Sequence, residues 1–425
     1  MNEDSTLTEK PRFFYGWYIV AASWIMTFLV NAVAVGIFFK PMLDEFGWDR
    51  ATLSSVQTVA LVVFAVASPF IGKMIDRLGP RVMIFVTVAT HTLSSVVNGL
   101  ATSLWHLYVG RFLYQMRAMH ATQVLINCWF VKKRGRALGI VATSMPIGLL
   151  LLSPLSQYLV ETWGWRQTML FWAGVTFIVL LPMAFLIRNR PEEKGYSPDG
   201  ESYSDPSRTG SFIEPKVSNS GQKSVIGIGS MMSEASRTGS FWLLIGTQLI
   251  CGIGCGFMTT HIVIFATDIG YPAMIGASFL SVQGGANLIG VLATGYLSDR
   301  TSRSRVLSLV HIIRGLSFII IVIFCLSGGG SLWLLYLAMA LFGFGFYTTA
   351  PLSSGLVADL FGYQQMGTII GVVLSCHMVG IALGAYAGGI AFEFTGSYFP
   401  VFLAQGVLEF LAAILAFFIR QRALY

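Results

Sequence analysis

Twelve long apolar runs constrain this 425-residue chain more than any other feature of its sequence. Each run approaches the roughly 20 residues that an α-helix needs to cross a lipid bilayer. Backbone inside a bilayer must satisfy its own hydrogen bonds, so we expect helices rather than loops in these runs. Numbered as spans 1 to 12, the runs cover about 14–38, 53–72, 82–101, 104–130, 138–160, 167–187, 241–265, 273–296, 306–326, 332–356, 367–391 and 399–419. The sequence therefore predicts an all-α membrane protein.

The distribution of charge gives this protein an orientation in the membrane. Only 11% of the residues are charged, whereas a soluble domain has about 25%. The net charge of +7 could indicate nucleic-acid binding, but 21 of the 27 cations fall on the side of the spans that carries both termini. The opposite side has three, Lys40, Arg50 and Arg166, and the last three lie within spans. This asymmetry predicts an inner (cell) membrane protein with both termini in the cytoplasm and no nucleic-acid partner.

The cysteines and the N-terminus indicate neither disulfides nor a cleaved leader. All five cysteines fall within apolar runs, where we interpret them as free, small apolar residues. Span 1 is too long for the apolar region of a signal peptide, so we expect it to direct insertion itself. The sequence shows no metal-ligand cluster, nucleotide-binding loop or nucleophile–base constellation. We therefore predict no metal, no cofactor and no enzymatic activity.

A short polar stretch occurs twice, half a chain apart. Residues 72–81 read G-x-x-x-D-R followed by another Arg, and residues 295–305 repeat this pattern. Each copy lies in the turn between two apolar runs. Asp76 and Asp299 occupy equivalent positions, which indicates two parallel repeats of six helices. The predicted fold is twelve transmembrane helices in two pseudo-symmetric six-helix bundles.

The domain boundaries follow from this repeat and from one long polar segment. The segment between the bundles is rich in Ser, Pro and Gly and cannot form a core, so we predict a flexible linker. Thr52 is the predicted N-cap of span 2. The predicted order is a cytoplasmic tail (1–12), an N-terminal six-helix bundle (13–187), a cytoplasmic linker (188–240), a C-terminal six-helix bundle (241–420) and a second cytoplasmic tail (421–425).

These features resemble the major facilitator superfamily over essentially the whole chain. The signature of that family between spans 2 and 3 matches Gly72, Asp76, Arg77, Gly79 and Arg81, and its second copy matches Gly295, Asp299 and Arg300. Arg111 looks like the span 4 arginine of another family signature. The resemblance implies a transporter whose spans 1, 4, 7 and 10 line a central cavity. It also implies that Gly72, Asp76, Arg77, Arg81, Gly295, Asp299 and Arg300 form conformational latches.

A narrower resemblance is to the monocarboxylate transporter and oxalate:formate antiporter branch. It rests on Tyr15-Gly-Trp17, Glu45-Phe-Gly-Trp48, residues 190–195 and Asp359-Leu-Phe-Gly362. Anion carriers of this branch usually have an Arg in span 8, but span 8 of this chain has no cation, and span 11 has His377 where a Lys is expected. The substrate carboxylate is then held differently, or the substrate is not a simple monocarboxylate.

Ionisable side chains inside spans are costly and are functional candidates by default. Arg117 and His120 lie one turn apart on span 4, and Arg117 is the best candidate to bind an anion. The alternative is an ion pair or carbonyl anchor within the N-terminal half, but the spans of that half contain no acid. The complete set of predicted substrate-binding residues is Arg117, His120, Asn31, His261, Tyr347, Thr348 and His377.

Other buried polar residues have structural interpretations beside functional ones. Arg111 has a structural or gating role, or takes part in proton coupling. His261 and His377 bind substrate or carry protons, or else form packing hydrogen bonds. Arg314 in span 9 and Glu409 in span 12 both lie near mid-bilayer, and we expect them to form a buried structural pair. Asp76 is expected to cap the helix after its turn and to pair with the nearby arginines.

The resulting prediction is a monomeric secondary transporter for a small organic anion, coupled to protons by symport and working by alternating access. Its partners are the small-molecule substrate, protons and membrane lipid. A pump for cationic drugs usually has a buried acid in its cavity, and none is evident in this sequence. The alternatives are a transporter for a larger aromatic or neutral metabolite, vitamin or drug, in either direction, and a transporter-like sensor. Trp24, Phe28, Phe257 and Phe346 are candidate contacts for a planar ring.

Overall fold

The computed structural model describes residues 14–116, 120–130, 133–197, 199, 235–361 and 366–419. This part of the chain is built from α-helices, as the apolar runs predict. In chain order the helices are α1 (Gly16–Val30), α2 (Val35–Phe46), α3 (Arg50–Leu78), α4 (Pro80–Gly99), α5 (Leu104–Gln115), α6 (His120–Trp129), α7 (Arg134–Ala142), α8 (Ser144–Trp163), α9 (Trp165–Leu186), α10 (Gly239–Asp268), α11 (Ala273–Arg300), α12 (Arg303–Leu326), α13 (Leu332–Phe344), α14 (Thr349–Phe361), α15 (Met366–Thr395) and α16 (Phe399–Phe417).

Within the described residues, every predicted span coincides with one or two helices. Eight spans are single helices, and spans 1, 4, 5 and 10 each correspond to two successive helices. Ten segments of the described chain are long and apolar enough to cross a membrane. The other two spans are α3, whose apolar segment Arg50–Phe64 is shorter, and the α5–α6 pair, which flanks the undescribed residues 117–119. The predicted number and positions of the spans are therefore confirmed.

The helices form two halves, α1–α9 and α10–α16. Within the halves the most extensive pairings are α4 on α9, α10 on α15 and α12 on α16. Between the halves α3 packs on α15, α8 on α11 and α2 on α10. Residues 200–234 of the linker between the halves are not among the described residues. Two bundles that meet along a few helices fit the predicted pseudo-symmetric repeat.

Glycine explains the close contact of α10 with α15. A Cβ atom on Gly384 would lie 1.9 Å from the Ile253 carbonyl oxygen, and one on Gly252 would lie 2.2 Å from the His377 carbonyl oxygen. Any side chain at these positions would force the two backbones apart. Without a hydrophobic driving force in lipid, such close approach is how spanning helices gain packing energy. The contact lies within the C-terminal half and makes α10 and α15 one unit.

We name the two ends of the bundle after an arginine at each. The Arg50 end carries the α2–α3 connection, and the Arg81 end carries the α3–α4 connection. At the Arg50 end, α3 is capped by Asp49, which accepts hydrogen bonds from the Thr52 backbone N–H (2.5 Å) and hydroxyl (2.8 Å). The prediction that Thr52 is the N-cap was wrong, because the helix begins three residues earlier and Thr52 is the donor.

The first G-x-x-x-D-R turn, residues 72–81, is shorter than the sequence suggests. Helix α3 continues to Leu78, and Gly79 alone, at a φ of +82°, links it to α4. Only glycine adopts that backbone conformation readily. The Arg81 N–H donates to the Asn189 side-chain oxygen at 2.8 Å, so a residue after α9 caps α4. The Asp76 side chain, predicted to cap this helix, lies outside the described residues.

Candidate functional site

The predicted anion-binding pair on span 4 lies outside the described part of the chain. Arg117 falls in the undescribed residues 117–119, and His120 begins α6 with a side chain that is not described. Arg111, one helix earlier, is buried and lies with its guanidinium carbon 5.5 Å from the Tyr114 ring centre. The roles of Arg117 and His120 stay predictions.

Two spans that were predicted to line the cavity are interrupted near their middles. Span 1 passes from α1 through a single 3-10 turn at Asn31–Val33 to Ala34, whose extended backbone ends the helix before α2 begins. Span 10 stops being helical at residues 345–348, between α13 and α14. Interrupted spans expose backbone groups at mid-membrane depth, which transporters use to form binding sites. Asn31, Tyr347 and Thr348 from the predicted site all lie at these interruptions.

Side chains of neighbouring helices donate to carbonyl groups at each interruption. The Ser156 hydroxyl of α8 donates to the Ala32 carbonyl at 2.6 Å, and the Asn287 amide of α11 donates to the Gly343 carbonyl at 3.0 Å. Asn31 donates to the Thr27 carbonyl at 3.2 Å and lies 3.4 Å from the Met145 sulfur. These bonds allow non-helical backbone inside a membrane protein. The interruptions are therefore built features of the fold.

Several buried polar atoms around the span 10 interruption have no hydrogen-bond partner in the described structure. They are both amide atoms of Gln283, the side-chain oxygen of Asn287 and the Thr348 hydroxyl. All three residues are fully buried, and the Gln283 backbone lies against Gly343 at the end of α13. Buried polar groups are nearly always satisfied, so such a cluster indicates a place for water or ligand. Gln283 gave no signal in the sequence, because a neutral amide on an apolar helix carries no charge.

His261 is placed in a different region, toward the Arg50 end of α10. Its Nε2 donates to the Ala385 carbonyl at 2.8 Å, because a carbonyl only accepts. Its Nδ1 therefore accepts from the Tyr398 hydroxyl at 3.0 Å. The ring also packs edge-on against Phe39 of the other half, with centroids 5.4 Å apart. Both ring nitrogens of His261 are thus occupied.

Tyr398 connects His261 to an ion pair between the halves. Arg50 of α3 forms a two-armed salt bridge with Asp268 of α10, at 2.5 and 2.8 Å, and donates to the Tyr398 hydroxyl at 2.8 Å. Its backbone N–H donates to Glu393 of α15 at 2.9 Å. Burial raises the pKa of Tyr398, the opposing influence of Arg50 being smaller, so the phenol keeps the proton that it donates to His261. We call these five residues the closure network, since they join the halves at the Arg50 end.

No motif in the sequence singles out the closure network. Arg50 is one of three cations outside the spans at its end of the chain's predicted topology, and its charge alone does not indicate a partner. Asp268 and Glu393 end α10 and α15 at the same side, and these acids were the available signal. One further contact between the halves lies deeper in the bundle, where the Thr58 hydroxyl donates to the Ala382 carbonyl at 3.0 Å.

The latch residues lie at the Arg81 end. Among them the side chains of Asp76 and Asp299 and the surroundings of Gly72 are not described, while Arg77 and Arg300 are exposed. The Arg300 guanidinium stacks over Tyr296 at 4.1 Å, and the neighbouring Arg303 pairs with Asp359 at 2.5 Å. These contacts fall within one half, so the latch role stays a prediction.

A second charged network is buried inside the C-terminal half. Glu409 of α16 pairs with Arg314 of α12 at 2.7 Å, and its other oxygen lies 2.7 Å from His311 Nδ1. All three side chains are completely inaccessible to solvent. Gln405 donates to the Glu409 carboxylate at 3.3 Å. Arg314 and Glu409 therefore form the buried pair that was predicted, and its structural role stays a prediction.

Two thiols and an imidazole adjoin this network. The potential ligand atoms of Cys251, Cys255 and His377 all lie within 4.8 Å of one another. Arg314 Nη1 lies 2.8 Å from the Cys251 sulfur. His377 Nδ1 lies 3.2 Å from the Gln248 carbonyl oxygen. His261 and His377 therefore belong to separate sites, since Cys251 and His261 are ten residues, or about 15 Å, apart along α10.

Comparison with known proteins agrees with this architecture. The family model of the Major Facilitator Superfamily matches residues 17–376 and 289–424. The chain is 25% identical over 409 residues to the uncharacterized MFS-type transporter YcxA of Bacillus subtilis, covering 94% of each chain. It is 24% identical over 407 residues to monocarboxylate transporter 13 of Rattus norvegicus, covering 94% of this chain and 87% of that one.

Solved structures show the same fold at low sequence identity. A bacterial homolog to the human lysosomal transporter Spinster, described as inward-facing and unoccupied, has a TM-score of 0.69 at 14% identity and covers 95% of this chain and 97% of its own. A mutant of the nucleoside transporter NupG has a TM-score of 0.72 at 12% identity, covering 96% and 100%. With twelve spans, two parallel halves and a family match along its length, this chain belongs to the Major Facilitator Superfamily of membrane transporters.

Proposed function

We propose that this protein moves a small, monocarboxylate-like organic anion across the cell membrane by alternating access, coupled to protons. The observation that carries the proposal is the interruption of span 10, surrounded by buried polar atoms that have no partner among the described residues. The Gln283 amide and the Thr348 hydroxyl are neutral groups that can donate to a carboxylate. Gln283 lies on span 8, so its amide can bind the substrate carboxylate in place of the arginine that is missing from that span. The similarity to monocarboxylate transporter 13 supports the same class of substrate.

The charges of the described spans favour an anion over a cation. Glu409 is the one acidic side chain near the middle of a described span, and Arg314 and His311 already occupy it. A cationic substrate would therefore find no available carboxylate at that depth within the described residues. An arginine at position 117 would attract anions and repel amines in a medium of low dielectric constant. We propose Arg117 and His120 as the charged part of the site, with Asn31, Tyr347, Thr348 and Gln283 as its neutral part.

The closure network indicates which end of the proposed transporter is closed in this structure. We place the Arg50 end outside the cell, because most cations lie at the Arg81 end. The halves are joined at the Arg50 end, so a substrate would reach the interrupted spans from the cytoplasm in this state. Opening toward the outside requires Arg50 to separate from Asp268 and Glu393. We assign His261 to this network rather than to the substrate, and propose His120 or the substrate itself as the proton carrier.

Flux measurements test the proposal. Proteoliposomes containing the full chain should take up labelled lactate or oxalate, with faster uptake when a proton gradient is imposed. Arg117→Gln should reduce uptake at least tenfold, while Arg237→Gln, at an exposed position just before α10, should leave it unchanged. If Arg117→Gln takes up the anion at the wild-type rate, Arg117 on span 4 does not bind the substrate. Binding of these anions without flux would instead identify a sensor.

Gln283→Leu tests the neutral part of the site separately. Removing a buried amide that has no partner should not reduce stability and could increase it, since no hydrogen bond is lost. The KM for the transported anion should rise at least fivefold. A variant of unchanged KM would show that Gln283 does not contact the substrate.

A second candidate is a transporter for a larger planar metabolite. Trp24 and Phe28 are stacked on α1, with ring centroids 5.0 Å apart and planes 13° from parallel, one turn before Asn31. Both rings are half-buried and could bind an aromatic ligand beside the span 1 interruption. Competition of aromatic acids against lactate uptake, in wild type and in Phe28→Leu, distinguishes the two candidates. Strong competition that Phe28→Leu abolishes would favour the planar substrate.

A further inference from the structure

The two thiols and the imidazole between α10 and α15 form a group that the transport function does not require. Cys251 and Cys255 are one turn apart on the same face of α10, and His377 projects from α15. Both cysteines are buried, Cys251 completely, and His377 is partly exposed. Their ligand atoms lie within 4.8 Å of one another at mid-span depth. Three donors brought together from two helices are an unusual use of polar groups inside a membrane protein.

The hydrogen bond of His377 to a carbonyl leaves its other ring nitrogen able to bind a ligand. A carbonyl oxygen only accepts, so the contact of 3.2 Å with Gln248 means that Nδ1 carries the hydrogen. Nε2 then keeps its lone pair. Metal-binding histidines almost always donate their other ring N–H to a carbonyl or carboxylate, which fixes the tautomer and the ring orientation. His377 has this arrangement without any ion.

A disulfide is a poorer explanation of the cysteine pair. Residues four apart on a helix have Cβ atoms about 5–6 Å apart, whereas a disulfide needs about 3.5–4.5 Å. The helix would have to distort to join the two sulfurs. A metal ion about 2.3 Å from each sulfur bridges them with a smaller movement, since rotation of the side chains suffices.

We propose that Cys251, Cys255 and His377 bind a soft, thiophilic metal ion, with monovalent copper as the preferred species. Thiolate ligands select Cu(I) and Zn(II) over harder ions. Zinc in proteins almost always has four ligands, and the group contains only three His, Cys, Asp or Glu side chains among the described residues. Binding displaces one proton from each thiol, and no electron is transferred. Arg314, 2.8 Å from the Cys251 sulfur, stabilises the resulting thiolate.

The charge of the surroundings is compatible with this ion. Cu(I) with two thiolates and a neutral imidazole carries a single negative charge. Arg314 faces that charge directly, and its own partner Glu409 is shared with His311. The two buried networks therefore form one electrostatic unit.

Competition titrations test the site on the purified, reduced, full-length protein in nanodiscs. Cu(I) held by a chromophoric chelator should transfer to the protein with a stoichiometry of one, and X-ray absorption should show two sulfur ligands and one nitrogen. Cys255→Ser and His377→Gln should each weaken Cu(I) binding at least 100-fold. Cys376→Ser, which removes the thiol next to His377 in sequence, is the matched control and should bind as the wild type does.

Three results would overturn the proposal. The first is an absence of stoichiometric Cu(I) binding to the wild type. The second is equal loss of binding in Cys376→Ser and Cys255→Ser. The third is that zinc, measured in a parallel titration, binds more tightly than copper. That result would contradict the preference for a monovalent ion. The absorption spectrum of the wild type needs no variant, so the test holds even if a substitution prevents folding.

Discussion

The two charged networks of this protein differ in which helices they join and in how far their side chains are exposed to solvent. Arg314 and Glu409 join helices of one half and are completely buried. Arg50 and Asp268 join the two halves, and their side chains keep 14% and 23% of their exposure. In the proposed alternating-access cycle, an ion pair inside one half stays intact, whereas an ion pair between the halves has to separate. Charges that part need water nearby to replace the lost partner, because an unpaired buried charge is very costly.

The largest expected effect comes from breaking the buried pair. Glu409→Ala leaves Arg314 charged and unpartnered in the interior, which should cost about 3–5 kcal/mol of folding stability. We expect low yield and early thermal unfolding in detergent, and a smaller loss for Glu409→Gln, which keeps a hydrogen-bond acceptor. Glu161→Gln, at an exposed acid of α8, is the control and should be neutral. A well-expressed, stable Glu409→Gln protein that has lost only proton coupling would contradict a structural role.

Glycine contacts extend the comparison to uncharged packing. A Cβ at Gly384 would lie 1.9 Å from the Ile253 carbonyl within one half, and a Cβ at Gly284 would lie 2.5 Å from the Pro146 carbonyl of the other half. Gly384→Ala should therefore reduce thermal stability, by about 1–3 kcal/mol. Gly284→Ala should leave stability nearly unchanged and alter the transport rate, because the halves can move apart to relieve the clash. Equal thermal destabilisation of both variants would show that the halves do not move at this contact.

The fold was predictable because its causes are local. Apolar runs about as long as a bilayer is thick become spans wherever they occur, and the repeat of Asp76 at Asp299 reveals the two halves. The buried pair was predictable too, since Arg314 and Glu409 are opposite charges at the same depth. The sequence gives the depth of a charge through its distance from the ends of a span, and depth alone restricts the choice of partner.

The site was less predictable because its causes are not local. In the sequence Arg50 looks like any charged residue in a connection between spans. Only the packing of α3 on α10 and α15 gives it partners. Gln283 became a candidate because its amide lacks a partner, which no sequence pattern records. Cys251 and Cys255 have a visible helical spacing, but their relation to His377 depends on the glycine contact between α10 and α15.

Breaking the closure network should change conformation rather than stability. Arg50→Gln removes a two-armed bond to Asp268 and should shift the equilibrium about tenfold toward opening at the Arg50 end, which corresponds to about 1.4 kcal/mol. Distances between spin labels at Asp44 and Ser331, exposed positions on the two halves, would report that opening. Labels carried by non-canonical residues leave the native cysteines intact.

A second ion pair at the same end provides the control for Arg50. Arg166 pairs with Glu45 at 2.7 Å, but both belong to the N-terminal half. Arg166→Gln should leave the label distances unchanged, although it removes the same charge from the same end of the molecule. If both variants open the protein equally, net charge rather than the bond between the halves holds it closed.

The smallest expected effect is that of Tyr398→Phe, and it separates the role of the phenol from that of the ions. The hydroxyl accepts a hydrogen bond from Arg50 and donates one to His261. Its loss removes both hydrogen bonds but leaves the Arg50–Asp268 salt bridge. The expected shift toward opening is about fivefold, from about 1 kcal/mol. In the double variant with Arg50→Gln the two shifts should not add, because the tyrosine acts through the arginine. Additive shifts would mean instead that Tyr398 holds the halves together through His261 and its contact with Phe39, independently of the ion pair.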